Sequence, residues 1–198
     1  ASNSIYYVDN IEHSKKLVDN ATQAEITDNL DSLFYVGKDK NLHKLFKRDP
    51  EKKELLAKDC FNFMSNSSGT AYYYTNKDGE LYYSFKGEDP KKIADKVFNA
   101  MLNKDGLLIY TTVDDSNIFS GSSYILKPGD KPRKISENSI DAFASGKLFA
   151  YFSPKYEGDK SDINKNPRKY FNEVTYELYT STNGVDFVKN ENQFKPYN

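Results

Sequence analysis

The chain matches itself, and this constrains its fold more than any other feature. Ile5-Tyr6-Tyr7-Val8, followed by Lys15-Lys16-Leu17-Val18-Asp19, lies without a gap over Leu81-Tyr82-Tyr83-Ser84 and Lys91-Lys92-Ile93-Ala94-Asp95, at an offset of 76. Leu33-Phe34-Tyr35-Val36 and Asn41-Leu42-His43 lie over Tyr72-Tyr73-Tyr74-Thr75 and Glu80-Leu81-Tyr82 at an offset of 39. Half of 76 is 38, so both matches report one unit of about that length. A repeat of this size means an array of equivalent supersecondary units, each hiding its apolar face against the next. It speaks strongly about architecture and weakly about activity.

Each unit has four beats. A short apolar strand comes first: Ala24-Glu25-Ile26, Phe61-Asn62-Phe63-Met64, Ala100-Met101-Leu102, Ile140-Asp141-Ala142-Phe143. A polar turn follows, ending in Gly69, Gly106 or Gly146 in three of the units. The second strand is rich in aromatic and β-branched residues: Leu33–Val36, Tyr72–Thr75, Leu108–Thr111, Phe149–Phe152. A tight turn then leads to a third strand, at Leu42–Leu45, Leu81–Ser84 and Ile118-Phe119. The Asp78-Gly79 pair between Tyr-rich strands is a hairpin signature, because such turns need positive φ. The fourth strand is short: Lys16-Leu17-Val18, Glu54-Leu55-Leu56, Lys92-Ile93-Ala94, Lys134-Ile135-Ser136. The turns are too short for crossover helices, so each unit reads as an antiparallel four-stranded meander.

A lone sheet of this size cannot shield both faces. Packing the units face to face as blades solves that, and explains second strands that are continuously apolar rather than alternating. The expected fold is all-β, a β-propeller of about four to five four-stranded antiparallel blades in one domain spanning 1–198. The units run over about 5–29 (partial), 30–66, 67–103, 104–143 and 144–198 (irregular). The partial unit holds only third and fourth strands, and Gln193-Phe194-Lys195-Pro196-Tyr197 offers at most one strand to complete it. Either the chain is a piece of a larger propeller or its ring closes in a way the repeat does not show.

The net charge of −1 argues against nucleic acid and anionic membrane as main partners. No apolar run approaches the ~18 residues of a membrane span, and no signal peptide is visible. The start inside a repeat is compatible with a leader or anchor having been cleaved. Cys60 is the one cysteine, so no internal disulfide braces the fold, and it reads as a small buried residue at a strand start.

Tyr74-Thr75-Asn76-Lys77-Asp78-Gly79-Glu80-Leu81-Tyr82, followed by Lys91-Lys92-Ile93-Ala94-Asp95, resembles the repeat of TolB-like and lipoprotein-receptor-like β-propellers. It is especially similar to propeller domains on surface proteins of low-G+C Gram-positive bacteria. The resemblance covers most of residues 5–146 and weakens after 153. It implies an innermost first strand, an outermost lysine-bearing strand, and a non-catalytic extracytoplasmic binding or scaffold role. Its motifs are structural and carry no catalytic residue across.

Candidate sites are few. The pairs Lys15-Lys16, Lys52-Lys53, Lys91-Lys92 and Arg133-Lys134 recur in register. They read as edge protection, with a basic rim for an anionic polymer as the competing reading. Asp-rich turns such as Asp114-Asp115-Ser116-Asn117 lack full calcium-loop spacing, so no metal and no cofactor are expected. Ser181-Thr182-Asn183-Gly184-Val185-Asp186-Phe187 resembles the Asp-box turn of sialidase-type propellers, a folding element. Sialidases also need three converging arginines, which Arg48, Arg133 and Arg168 do not promise. His13 and His43 are the only histidines; His43 aligns with Tyr82 and Phe119 and reads as a repeat position.

The polar insertion from Ser153 to about Glu173 interrupts an economical repeat, and function often sits in such loops. Tyr156, Arg168, Tyr170 and Tyr176, in the irregular last unit, are the expected ligand contacts, with Tyr179 a further candidate. The leading expectation is a binding or scaffold module for a protein or cell-wall glycan. The alternative is a glycoside-hydrolase-type enzyme using paired carboxylates near the propeller axis.

Overall fold

The computed structural model describes residues 3–10, 13–114, 117–158, 165 and 167–194. Asp115-Ser116 of the Asp-rich turn, Asp159-Lys160 and Asn166 of the insertion, the His13 side chain and Lys195-Pro196-Tyr197 lie outside the described residues. The chain divides into two compact units, Ala1–Ile93 and Ala94–Asn198.

The first unit begins with a five-stranded sheet in sequential order: β1 (Asn3–Asn10), β2 (His13–Ile26), β3 (Ser32–Gly37), β4 (Leu42–Phe46) and β5 (Asp49–Ala57). A four-stranded sheet follows: β6 (Cys60–Ser65), β7 (Ala71–Asn76), β8 (Leu81–Phe85) and β9 (Lys91–Ala94). The second unit holds β10 (Val97–Leu102), β11 (Leu108–Asp114), β12 (Asn117–Leu126) and β13 (Arg133–Ser139). Its other sheet contains β14 (Asp141–Ser145), β15 (Leu148–Lys155), β16 (Thr175–Ser181) and β17 (Val188–Phe194). A short helix, α1 (Pro167–Glu173), stands between β15 and β16. Every sheet is a meander, and the fold is that of an all-β propeller repeat.

Backbone conformation repeats with the sequence. The turn from first to second strand takes positive φ at Gly69, Gly106 and Gly146, and at Leu30 in the first sheet. At Gly69 a side chain would also strike Thr27 Cγ2, 2.7 Å from the place of its Cβ. The joint between the fourth strand of one sheet and the first strand of the next takes positive φ at Asn20, Asp59 and Lys96. Asn20 lies inside β2, so this strand is two elements in one: residues 13–19 pair with β1, and residues 21–26 pair with β3.

Cross-strand pairs fix the equivalences. Tyr35 faces His43, Tyr74 faces Tyr82, Tyr110 faces Tyr124 and Tyr151 faces Tyr179. His43 therefore corresponds to Tyr124 in the third complete sheet, not to Phe119. The reason is length. β11 and β12 extend past the equivalent turn and pair as far as Asp114 with Asn117 across a bulge. The first apolar residues after that turn are not the ones opposite Tyr110.

Burial follows one rule in two places. In the first unit, Phe34, Val36, Leu42 and Ala57 of one sheet pack against Cys60, Phe63 and Tyr72 of the next. In the second unit, Leu107, Ile109 and Ile125 pack against Ala142, Ala144, Phe149 and Tyr151. Within the first unit β3 is buried on both faces because each face meets a neighbouring layer, which is why it lacks alternation.

Candidate functional site

The residues that chemistry would want are mostly engaged in holding sheets together. Opposing rings stack at 4.8 Å in Tyr74–Tyr82, 5.1 Å in Tyr110–Tyr124 and 4.9 Å in Tyr151–Tyr179. The fourth strand lays a lysine beside each pair. Lys92 Nζ is 2.5 Å from Glu80 Oε1, while Tyr82 Oη donates to Glu80 Oε2 at 3.0 Å. Lys189 Nζ is 2.6 Å from Glu177 Oε1, and Tyr179 Oη donates to Glu177 Oε2 at 3.1 Å. Lysine hydrogen bonds hold both carboxyls below the usual glutamate range, with the tyrosine hydroxyls adding to the effect. Burial pushes the Tyr74 hydroxyl up to about 12. Where no glutamate is present, the lysine sits over a ring: Lys53 at 5.5 Å from Tyr35 and Lys134 at 5.8 Å from Tyr124.

The spacing is constant. Asn41, His43 and Lys53; Glu80, Tyr82 and Lys92; Ser122, Tyr124 and Lys134; and Glu177, Tyr179 and Lys189 are the same three places. Ser4, Tyr6 and Lys16 repeat it, and Lys16 Nζ lies 5.8 Å from the Tyr6 ring. The recurrent lysine pairs thus have a defined internal contact at their second member, beyond either edge protection or a basic rim.

Cys60 is buried, and burial pushes its thiol up to about 12, which suppresses the thiolate. His43 is buried against Tyr35, and neither ring nitrogen has a hydrogen-bond partner; Asp39 Oδ2 stands 3.9 Å from Nε2. Burial, with help from Lys53, lowers the ring's pKa. Among the described residues, no group of three or more His, Cys, Asp or Glu side chains is placed to hold a metal ion. No helix is long and apolar enough to cross a membrane.

The Asp-box-like segment is a turn lock. Asn183 Oδ1 accepts the N–H groups of Val185 at 2.8 Å and Asp186 at 3.0 Å. The Arg133 guanidinium donates to the Gly184 carbonyl, so this arginine is a structural contact. Phe187 closes over Tyr151 at 5.3 Å.

The described end of the insertion is folded. Tyr170 and Val174 are buried at the end of α1, packed against half-buried Tyr156 and Tyr176, with the Tyr156 and Tyr170 rings edge to face at 5.2 Å. Burial pushes the Tyr170 hydroxyl up to about 12. The structure therefore brings three of the four expected contact residues together around a small core of their own. Tyr170 is inside it, Tyr156 and Tyr176 flank it, and Arg168 is exposed on α1. The helix was not expected, because the segment's polar composition masks a single apolar face made by Tyr170 and Val174.

Two exposed aromatics escaped the sequence reading. Phe61 and Phe98 occupy the same place, 37 residues apart, on the first strands of their sheets, and both are strongly exposed. The repeat offset was the signal.

No family model matches the chain and no curated protein matches its sequence. Solved structures do match. The β-propeller domain of the Trilobed protease from Pyrococcus furiosus superposes with a TM-score of 0.57 at 14% identity, over 95% of this chain and 63% of that one. The tricorn protease gives 0.55 at 9% identity, over 89% of this chain and 23% of that one. Hsv2p of Kluyveromyces lactis gives 0.54 at 13% identity, over 92% and 53%. The chain thus spans less than two thirds of each of these structures. At such identities the likeness shows the β-propeller fold alone.

Proposed function

We propose that the protein is a non-catalytic extracytoplasmic module that binds a protein or a cell-wall glycan, of the kind found in TolB-like propellers on Gram-positive surfaces. One observation carries this reading: α1, within the large break in the repeat, is backed by a small core of its own. A loop tolerated by drift has no need of a core, yet α1 buries Tyr170 and Val174 against Tyr156 and Tyr176. That core holds the exposed Arg168 and the outer edges of two tyrosines in fixed positions. Tyrosine edges suit sugar rings, and an exposed guanidinium suits an anionic group on a glycan or an acidic protein surface.

The test is a glycan array together with purified cell-wall polymers and surface proteins, run on the wild-type chain and on Arg168→Ala. The expected result is a ligand whose binding falls at least roughly tenfold in the variant, with an unchanged melting temperature. Absence of binding across these panels, or binding indifferent to Arg168, overturns the reading.

A further inference from the structure

The two sheets of the unit Ala94–Asn198 leave a groove of about 420 Å³ between their turns. It lies where β10 turns into β11, β12 into β13, β14 into β15 and β16 into β17. The insertion stands at the other end of β15 and β16, beyond the pairing of Lys155 with Thr175. Leu107, Pro128 and Phe149 give the groove its apolar lining, and Asp105, Lys127, Lys147 and Thr182 line it with polar groups. A few polar groups on an apolar ground are the usual make-up of a small-ligand site.

The repeat does not account for these groups. Leu33 faces Leu45 as Leu108 faces Leu126, so Lys127 stands where the first sheet has Phe46. Tyr72 faces Ser84 as Phe149 faces Ser181, so Thr182 stands where the second sheet has Phe85. Two half-buried rings of one unit give way to an ammonium and a hydroxyl in the other. Among the described residues, Lys127, Lys147 and Asp105 make no ion pair, unlike Lys92 and Lys189. Asn103 also lines the groove, although it is only 6% exposed. Its Oδ1 accepts the N–H groups of Asp105 at 3.0 Å and Leu107 at 2.8 Å. Its Nδ2 has one long bond, 3.4 Å to the Gly146 carbonyl. The equivalent Asn66 likewise accepts from Ala71 N–H, but donates through Nδ2 to Thr70 Oγ1 at 3.1 Å. The turn at Asn103 passes from Gly106 straight to Leu107 and has no such hydroxyl. One buried amide hydrogen is left for a ligand, and a buried donor without an acceptor is costly. The Thr182 side is preset, because Asn183 locks the turn and a Cβ at Gly184 would stand 2.7 Å from Ile125 Cδ1.

We propose that this groove binds the uronate units of an acidic polysaccharide. Lys127 and Lys147 take the carboxylate. Asn103 Nδ2 and the Thr182 hydroxyl donate to sugar oxygens, and Asp105 accepts from sugar hydroxyls. The C–H face of the ring rests on Leu107, Pro128 and Phe149. A uronate uses every one of these groups, because it joins an acid, hydroxyl donors and an apolar face in one ring. A bare anion leaves Asp105 and the apolar lining unused, and an acidic peptide brings no ring of hydroxyls to Asp105. This site is separate from the insertion and does not rest on its ligand.

The probes are hexamers of mannuronate and of galacturonate, titrated calorimetrically into the chain. Saturable binding of at least one is expected, weakening as salt is added. The double variant Lys127→Met and Lys147→Met weakens it roughly tenfold at an unchanged melting temperature. Thr182→Phe, which returns the bulk that Phe85 has in the other unit, blocks it. Lys58→Met with Lys77→Met, the same charge change at exposed lysines away from the groove, leaves it unchanged. No binding by either hexamer overturns the proposal, as does affinity indifferent to both groove variants. Equal losses from the two lysine pairs overturn it by showing a general charge effect. Equal binding of the neutral mannose and galactose hexamers, of acetate or of polyglutamate also overturns it, by removing the uronate from the recognition.

Discussion

The first and second sheets of the unit Ala1–Ile93 present the same face under different cover. Tyr72 and Tyr74 on the second sheet meet a complete inner surface made by Phe34, Val36, Leu42 and Ala57. Leu33 and Tyr35, their counterparts on the first sheet, meet only Ile5, Leu17, Val18 and Ala21. One repeat dictates both faces, but the neighbour decides how much of each leaves water. A repeat unit therefore has no intrinsic stability ledger of its own; most of its burial is an interface property.

The sharpest way to break that comparison is a pair of truncations. Phe34→Ala, at a fully buried ring, is expected to cost about 3–5 kcal/mol, measured by urea unfolding. Leu33→Ala, on the half-covered face, is expected to cost about 2 kcal/mol. Equal losses would mean that the incomplete blade covers its face as well as a complete one does. Cys60 reports the same event, because its buried thiol is reached only through opening. Its labelling by a neutral thiol reagent should speed up far more in Phe34→Ala than in Leu33→Ala.

A second contrast lies between the two units. Where the first sheet pairs apolar Val36 with Leu42, the β11–β12 sheet places Thr111 opposite Ser123 in a buried hydroxyl chain. Thr111 Oγ1 and Ser123 Oγ are 2.8 Å apart, and Ser123 Oγ and Ser139 Oγ 2.6 Å. Ser123→Ala should cost about 1–2 kcal/mol by stranding its neighbours. A loss no larger than that of an exposed serine would show that the chain contributes nothing.

His43 is the odd member among three tyrosines, and its variant tests whether the stacked place prefers tyrosine. His43→Tyr should stabilise by about 1 kcal/mol, because two unpartnered buried nitrogens are removed. It should also change the pH dependence. The folded pKa of His43 lies below the ordinary 6.5, so its stabilising effect is full above that value. That effect is lost as pH falls toward the folded pKa, since the unfolded chain binds the proton first. Thermal melts between pH 7 and 5 should therefore slope less in His43→Tyr; an identical slope would exonerate the histidine.

The smallest effect is expected at the rim triads. A double-mutant cycle of Glu177→Gln and Lys189→Met should give a coupling below about 1 kcal/mol, because the lysine is half exposed. The Glu177 carboxyl titrates below its ordinary 4.5, so any contribution persists above that pH and disappears as acid protonates it. Lys134, which lies over the Tyr124 ring and 3.4 Å from Glu137 Oε1, should couple to that ring more weakly still.

Much of this was legible from residue order. The second strands at Leu33–Val36, Tyr72–Thr75 and Leu108–Thr111 are β3, β7 and β11, in equivalent places of successive sheets. Strand identity was readable because aromatic and β-branched runs between glycine turns have few other ways to fold. Ile118-Phe119 do lie in the third strand of the β10–β13 sheet, but His43 was aligned with Phe119 instead of Tyr124, because alignment by first apolar residue ignores a longer hairpin with a bulge. Tyr156, Tyr170 and Tyr176 were picked for their place in the irregular last unit, yet nothing local said that Tyr170 points inward. That depended on a seven-residue helix stabilised by its contacts rather than by propensity.

Residue order by itself determined the repeat, its period, the meander of each sheet and the recurrence of tyrosine and lysine across neighbouring strands. These are consequences of local backbone preference and side-chain periodicity, which act within a few dozen residues. Tertiary structure alone decided which face of each sheet is covered and that Leu30 is held exposed at positive φ. Burial is a relation between segments distant in sequence, and a string of residues does not state what stands opposite it.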